Sequence, residues 1–201
     1  MNMRSWLLIT AGIIPLAAGC GGGRVHIRPE LAQIDRVAVI NLAEVKKDQP
    51  LMEGEYFTNE FVSVGFMVVE RGHLQDVLRE AFTQSGYLDE RTVAQEGRGL
   101  GIKGVVLHQM KTSTVAVENG RPRYEVSGWV RIVEAEQGVI VLSYNPEPIF
   151  SMRSPDDAAR QYAQRAVDDI KTAMREQRIN PAPIPANVVP PKPPVLENAP
   201  H

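Results

Sequence analysis

The sequence predicts one α/β domain in which helices pack on a mixed β-sheet. Three observations predict it. Short continuous apolar runs alternate with helical periodicity through the first half, closely spaced strand patterns follow, and one long amphipathic stretch closes the folded part. Alternating strands and helices make βαβ units with parallel strands, whereas strands joined by tight turns pair antiparallel. A chain holding both patterns in one domain makes a mixed sheet.

The elements follow in order. After Arg36, Val37-Ala38-Val39-Ile40 is an unbroken apolar run, as expected of a strand covered on both faces. Residues 50–63 carry Leu51, Met52, Phe57 and Phe61 at helical spacing. Phe66-Met67-Val68-Val69 predicts a second buried strand, closed by Glu70-Arg71-Gly72. From His73 to Phe82, the residues Leu74, Val77, Leu78 and Phe82 share one helical face. Gln84-Ser85-Gly86 reads as a turn, and Asp89 as the N-cap of a short helix through Leu100.

Gly104-Val105-Val106-Leu107 is a third strand. Asn119-Gly120 is a strong hairpin signal between Val115-Ala116-Val117 and the stretch from Tyr124 to Val133. On that second strand Tyr124, Val126, Gly128 and Val130 suit an inner face, and Glu125, Ser127, Trp129 and Arg131 suit water. Glu136-Gln137-Gly138 turns the chain into Val139-Ile140-Val141-Leu142, and Asn145-Pro146-Glu147-Pro148 reads as a short loop. Ser154-Pro155-Asp156-Asp157 then starts a helix, with a cap, a proline in the first turn and acids at the positive end of the dipole. That helix reaches about Arg178, with Ala159, Tyr162, Ala163, Ala166, Val167, Ile170 and Met174 along one stripe.

The termini are different material. Residues 179–201 form a proline-rich tail. From Asn180 onward eight of 22 residues are proline, so the segment is expected to be disordered, spanning about 70 Å if drawn out as polyproline. The Pro190-Pro191-Lys192-Pro193-Pro194 run suits either a spacer or a ligand for a polyproline-binding groove, and the spacer is the expectation. At the other end, Arg4 precedes an uncharged run from Trp6 to Ala18, and Leu16-Ala17-Ala18-Gly19 leads into Cys20. A basic head, a short apolar stretch and small residues before a cut site are the layout of a secretory signal peptide. The run is too short for a membrane helix, which needs about 20 apolar residues.

Cys20 is the only cysteine. Its setting resembles the lipobox of bacterial lipoproteins, with Ala17 where leucine is favoured. The resemblance implies cleavage before Cys20, acylation of its thiol, and export to the outer membrane because Gly21 rather than aspartate follows. The expected organisation is a signal peptide over 1–19, a lipidated linker over 20–33, the domain over 34–178 and the tail over 179–201. Removing residues 1–19 removes one charge, Arg4, and moves the formal charge from −2 to −3. Nothing in that balance supports nucleic-acid binding, which needs a basic domain.

Chemistry-bearing motifs are sparse. Gly99-Leu100-Gly101-Ile102-Lys103-Gly104 spells G-x-G-x-x-G, but it ends a helix and precedes a strand, the reverse of a dinucleotide site. His26, His73, His108 and His201 are scattered without metal-ligand spacing. Glu70 and Glu80 are the only acid pair that invites an acid/base reading, and a solvated role suits them better. The expectation is a protein with no catalytic residues, no metal and no cofactor.

The order of marks from Arg36 to about Tyr144 resembles the CsgG family of curli-secretion lipoproteins. The marks are Val37-Ala38-Val39, then Val68-Val69-Glu70-Arg71 with Leu74, Leu78 and Glu80, then Ser85-Gly86 with Asp89, Gly97 and Gly101 before Val105-Val106, and last Gly138 before Val139-Ile140. That family's domain is a periplasmic α/β sandwich, similar to the TolB N-terminal domain and to LpoB. The resemblance implies an outer-membrane lipoprotein, its domain facing the periplasm, that assembles or regulates an envelope complex through a protein partner or as a homo-oligomer. An alternative is a pore subunit exporting an extracellular fibre protein, and an envelope hydrolase is a remote third. The pore is disfavoured because this chain has one candidate hairpin, carrying Lys111, Glu118, Arg121, Arg123 and Glu125, where pore formers insert two.

Overall fold

The computed structural model describes residues 23–46, 53–69, 72–118 and 121–181. Cys20, the Asn119-Gly120 turn, His201 and the Pro190–Pro194 run lie outside the described residues. Seven strands are present among the described residues: β1 (His26–Ile27), β2 (Arg36–Asn41), β3 (Met67–Val68), β4 (Gly104–Glu118), β5 (Arg121–Glu134), β6 (Ile140–Tyr144) and β7 (Ile149–Ser151). The α-helices among the described residues are α1 (Leu42–Lys46), α2 (Glu53–Val64), α3 (Gly72–Ser85), α4 (Glu90–Gly99) and α5 (Pro155–Glu176).

All seven strands form one sheet in the order β1-β6-β5-β4-β2-β3, with β7 beside the outer part of β5. β2 runs parallel to β3 and β4, and every other pairing is antiparallel. This is the expected mixed sheet, parallel where helices intervene and antiparallel where turns do.

Both faces are covered. On one, Val39, Val106, Val130 and Ile132 pack with Phe57 and Phe61 of α2 and with the Tyr162–Ile170–Met174 stripe of α5. On the other, Ala38, Ile40, Val105 and Val133 pack with Leu74 and Leu78 of α3 and Val93 of α4. Side chains alternate across a strand, so a continuous apolar run is what a sheet between two helical layers requires. Both helix caps read from the sequence are made. The Asp89 carboxylate accepts from the Thr92 N–H at 2.7 Å, and the Ser154 hydroxyl accepts from the Asp157 N–H at 3.0 Å.

The glycine motif works as a helix stop. The N–H groups of Leu100 and Ile102 both donate to the Gly97 carbonyl, and Gly101 holds a left-handed φ of +70°. That is a C-terminal cap feeding β4, with no helix N-terminus for a phosphate to meet.

Several expectations need correction. Residues 24–33, expected as linker, belong to the fold: β1 pairs with β6, and the 3-10 turn Pro29–Gln33 buries Leu31 completely. Phe66–Val69 is not a buried strand but a two-residue edge, β3, whose members are only half-buried. The third strand and the hairpin's first arm are one strand, β4. Trp129 and Arg131 are half-buried rather than bathed in water, with the guanidinium 4.9 Å from the indole ring centroid. At the far end the core runs on to Ile179, inside the expected tail. Helix α1 and strand β7 had no clear signal in the sequence.

Ile170 is fully buried among these layers. Ile170→Asp is expected to destabilise the domain by at least about 4 kcal/mol, from lost packing plus a buried carboxylate. Urea denaturation followed by circular dichroism reads this directly, and a wild-type midpoint would show that the stripe is not core.

Candidate functional site

The residues singled out by sequence are not brought together. His73 and Glu80 lie exposed on α3, and the Glu80 Oε1 accepts from the Gln84 amide at 3.1 Å within that helix. Glu70 lies outside the described residues. His108 is fully buried on β4 with its ring 4.4 Å from that of Phe57, and His26 is exposed on β1. Among the described residues no three His, Cys, Asp or Glu side chains gather as a metal would need. No helix among them is long and apolar enough to cross a membrane.

What the fold does assemble lies around the base of the N-terminal segment. Gly23 sits against the loop after β6 so closely that a Cβ there would fall 1.6 Å from the Asn145 carbonyl oxygen. Only glycine fits, and the chain is seated at that point. From it β1 runs antiparallel to β6, with His26 opposite Ser143 and Ile27 opposite Leu142, and the Arg28 N–H donates to the Val141 carbonyl at 2.8 Å. Val25 and Ile27 turn onto the core while Arg24, His26 and Arg28 stay exposed. Among the described residues none of these three basic side chains has an ion pair or a side-chain hydrogen bond. They line an open groove of about 550 Å³ with Ser143 and Gln177. The signal for this was the basic–apolar alternation of Arg24-Val25-His26-Ile27-Arg28, masked by the glycines before it.

Beside it, a second groove of about 410 Å³ runs between Gly23, Tyr144 and the flank of α5. Here the Tyr144 hydroxyl donates to the Asp169 carboxylate at 2.5 Å, and Arg165 lies 3.4 Å from Glu147 and 4.0 Å from Asp169. Burial first, and the Asp169 hydrogen bond second, push the Tyr144 phenol well above the ordinary tyrosine range. Burial does the same to Tyr162, whose hydroxyl has no hydrogen-bond partner among the described residues. Neither phenol is poised to lose a proton near neutral pH. No sequence signal marked Tyr144, Arg165 or Asp169, because their elements meet only in the folded chain.

The third feature is an arm. β2 pairs with β4 only through His108, and β6 pairs with β5 only back to Val130. Beyond these points β4 and β5 continue paired to Glu118 and Arg121, supported on one side by β7. Along it Lys111 and Arg121 are exposed, and the Arg123 guanidinium lies 4.3 Å from the Phe150 ring centroid.

No family model matches the chain, and no curated protein matches it. Solved structures are similar to it. A PelC dodecamer from Paraburkholderia phytofirmans is 15% identical, with a TM-score of 0.47 over 75% of this chain and 99% of that one. A lipoprotein from Neisseria meningitidis is 15% identical, with a TM-score of 0.39 over 68% and 98%. The LpoB C-terminal domain from Salmonella enterica is 13% identical, with a TM-score of 0.31 over 62% and 95%. No residue role passes from them to this chain.

The raised phenols set a pH dependence. A group whose folded pKa lies above its unfolded value stabilises fully below the unfolded pKa and loses that contribution as pH rises through the folded one. Stability is therefore expected to fall as pH climbs past about 10, where unfolded tyrosines ionise. Tyr144→Phe should make that fall shallower and cost about 1 kcal/mol at neutral pH, the worth of one hydrogen bond. Urea midpoints taken upward from neutral pH test both, and an unchanged slope in the variant would remove Tyr144 as a cause.

Proposed function

We propose that this chain is a non-enzymatic lipoprotein of the bacterial outer membrane, acylated on Cys20, whose periplasmic domain assembles or regulates an envelope complex by binding a partner. The observation that carries the reading is the placement of its single cysteine. Cys20 ends a short uncharged segment and precedes Gly23, the first described residue of the domain, by only three positions. An acylated terminus there would hold the domain against the membrane, each buried CH₂ contributing about 0.8 kcal/mol. A binding role suits a domain whose polar groove holds the protonated Tyr144 beside paired charges, with no nucleophile–base geometry of the kind hydrolysis needs among the described residues. The resemblance to the CsgG family supports the envelope setting.

A pore-forming ring has one observation in its favour, the two-stranded arm of β4 and β5. A membrane strand needs about 9–11 residues, and Lys or Arg on a barrel's lipid face costs about 2–4 kcal/mol at mid-bilayer. The arm is about long enough but carries Lys111, Arg121 and Arg123, and it is one hairpin where the pore formers use two.

Two measurements test the proposal. Cys20→Ser is expected to leave the chain uncut or to release it from the outer-membrane fraction, and a variant still cut and still in that fraction would sink the anchor. Purified lipidated protein is expected to give no discrete conductance steps in planar bilayers. Reproducible steps abolished by replacing residues 111–128 with a short turn would promote the pore.

A further inference from the structure

We infer that the β1 edge of the sheet is a docking surface for anionic phospholipid headgroups, so that the domain lies edge-down with its strands parallel to the membrane. This rests on the reading of Cys20 as the lipid site. The first argument is one of length. Gly23 stands three positions after Cys20, and a chain spans at most about 3.3–3.6 Å per residue, so the seated end of the domain stays within about 11 Å of the acylated terminus. The domain cannot stand clear of the bilayer.

The second argument is one of direction. β1 runs parallel to β5, and Gly23 lies level with the part of β5 near Gly128 and Trp129, given His26 opposite Ser143 and Ser143 opposite Arg131. From that level the β4–β5 arm continues toward Arg121 for about 24 Å, at about 3.4 Å per residue. If the strands stood upright on the membrane with Gly23 at its surface, the arm would reach deep into hydrocarbon with Arg121 and Arg123. Lying the strands flat removes that cost and puts an edge of the sheet on the bilayer. The edge from which the tether springs is β1.

The third argument is charge. Arg24, His26 and Arg28 are the outward residues of this edge, exposed and without partners among the described residues. Arg24 also borders the neighbouring groove, which holds the nearest acids. Glu147 and Asp169 are engaged by Arg165, and Glu176 lies on the same flank of α5. A chain with net negative charge thus shows the exposed Arg24 and Arg28, on either side of β1, where the anchor begins, within about a Debye length of an anionic surface.

Vesicle flotation tests this with the chain from residue 20 onward carrying Cys20→Ser, which retains every core residue from Leu31 to Ile179. It should bind phosphatidylcholine vesicles only when phosphatidylglycerol is added, and less as salt rises. Arg24→Gln with Arg28→Gln should weaken binding by more than about tenfold, at roughly fivefold per arginine. Arg24→Lys with Arg28→Lys should retain it, and thermal melts confirm that each variant folds. Arg121→Gln with Arg123→Gln, on the arm, should change it by about twofold at most. Equal binding to neutral vesicles, no binding to anionic ones, or a larger loss from the arm pair than from the β1 pair would overturn the docking. The mass of the N-terminal peptide from membranes reads the lipid separately. An unmodified Cys20 overturns the anchor and the length argument together, whereas a lipidated chain with an indifferent β1 variant overturns edge-down docking alone.

Discussion

The rest of the structure depends on the antiparallel pairing of β4 with β5. It runs from Gly104 opposite Glu134 to Glu118 opposite Arg121, broken only by a shift between Thr114 and Ala116. Because side chains alternate, this one ladder supplies both cores: Val106, Val130 and Ile132 on the α2–α5 side, Val105 and Val133 on the α3–α4 side. Each such side chain contributes about 1.5–3 kcal/mol on burial, and the ladder makes all of them bury together. The parallel βαβ part hangs from one edge of this pair through β2, and the β6–β1 part from the other. A one-residue slip of β4 against β5 would turn every one of these residues to the wrong face, so hydrophobic patterning on both faces fixes the register.

What was legible in the sequence follows from this arrangement. Long elements with one unambiguous period were read correctly in kind: β2 by its apolar run, α3 and α5 by their stripes, and the caps at Asp89 and Ser154 by local chemistry. The errors fall where tertiary pairing outweighs local signal. The segment from Gly23 reads as linker, yet it includes β1, whose stability comes from pairing with β6 far along the chain. Phe66–Val69 has the composition of a central strand, but helices on both sides and the lack of a further partner leave only two residues paired. β7 has a single alternation of its own and exists because β5 offers it an edge. The candidate site was the least legible part, since the tether base joins Gly23 to Asn145, and the Tyr144 groove joins β6 to α5, across long sequence separations.

The sheet's edges show how that fold avoids self-pairing. An exposed strand edge is a template for aggregation, and natural sheets blunt it with short edge strands, charges and proline. β3 and β1 are each two residues long, and β1 is flanked by the exposed Arg24 and Arg28. β7 is three residues long and follows Pro146 and Pro148. The arginines flanking β1 therefore have a structural reason that holds with or without a membrane, which is why their partner has to be tested by charge and by orientation rather than by removing the strand.

The buried polar residues admit a similar division. Asn41 and His108 are partners in register at the carboxyl end of the parallel β2–β4 pair, the position where open α/β sheets most often bind ligands. Here both are fully buried, and the described grooves at the tether base are lined by other residues. The Asn41 side-chain oxygen accepts from the Ala43 N–H at 2.9 Å, a local bond that ends β2 and starts α1. His108 carries its ring against Phe57 at the last rung that β4 shares with β2. Below that rung the sheet is a covered α/β layer, and above it β4 and β5 continue as the arm. The polar pair marks the boundary between the two.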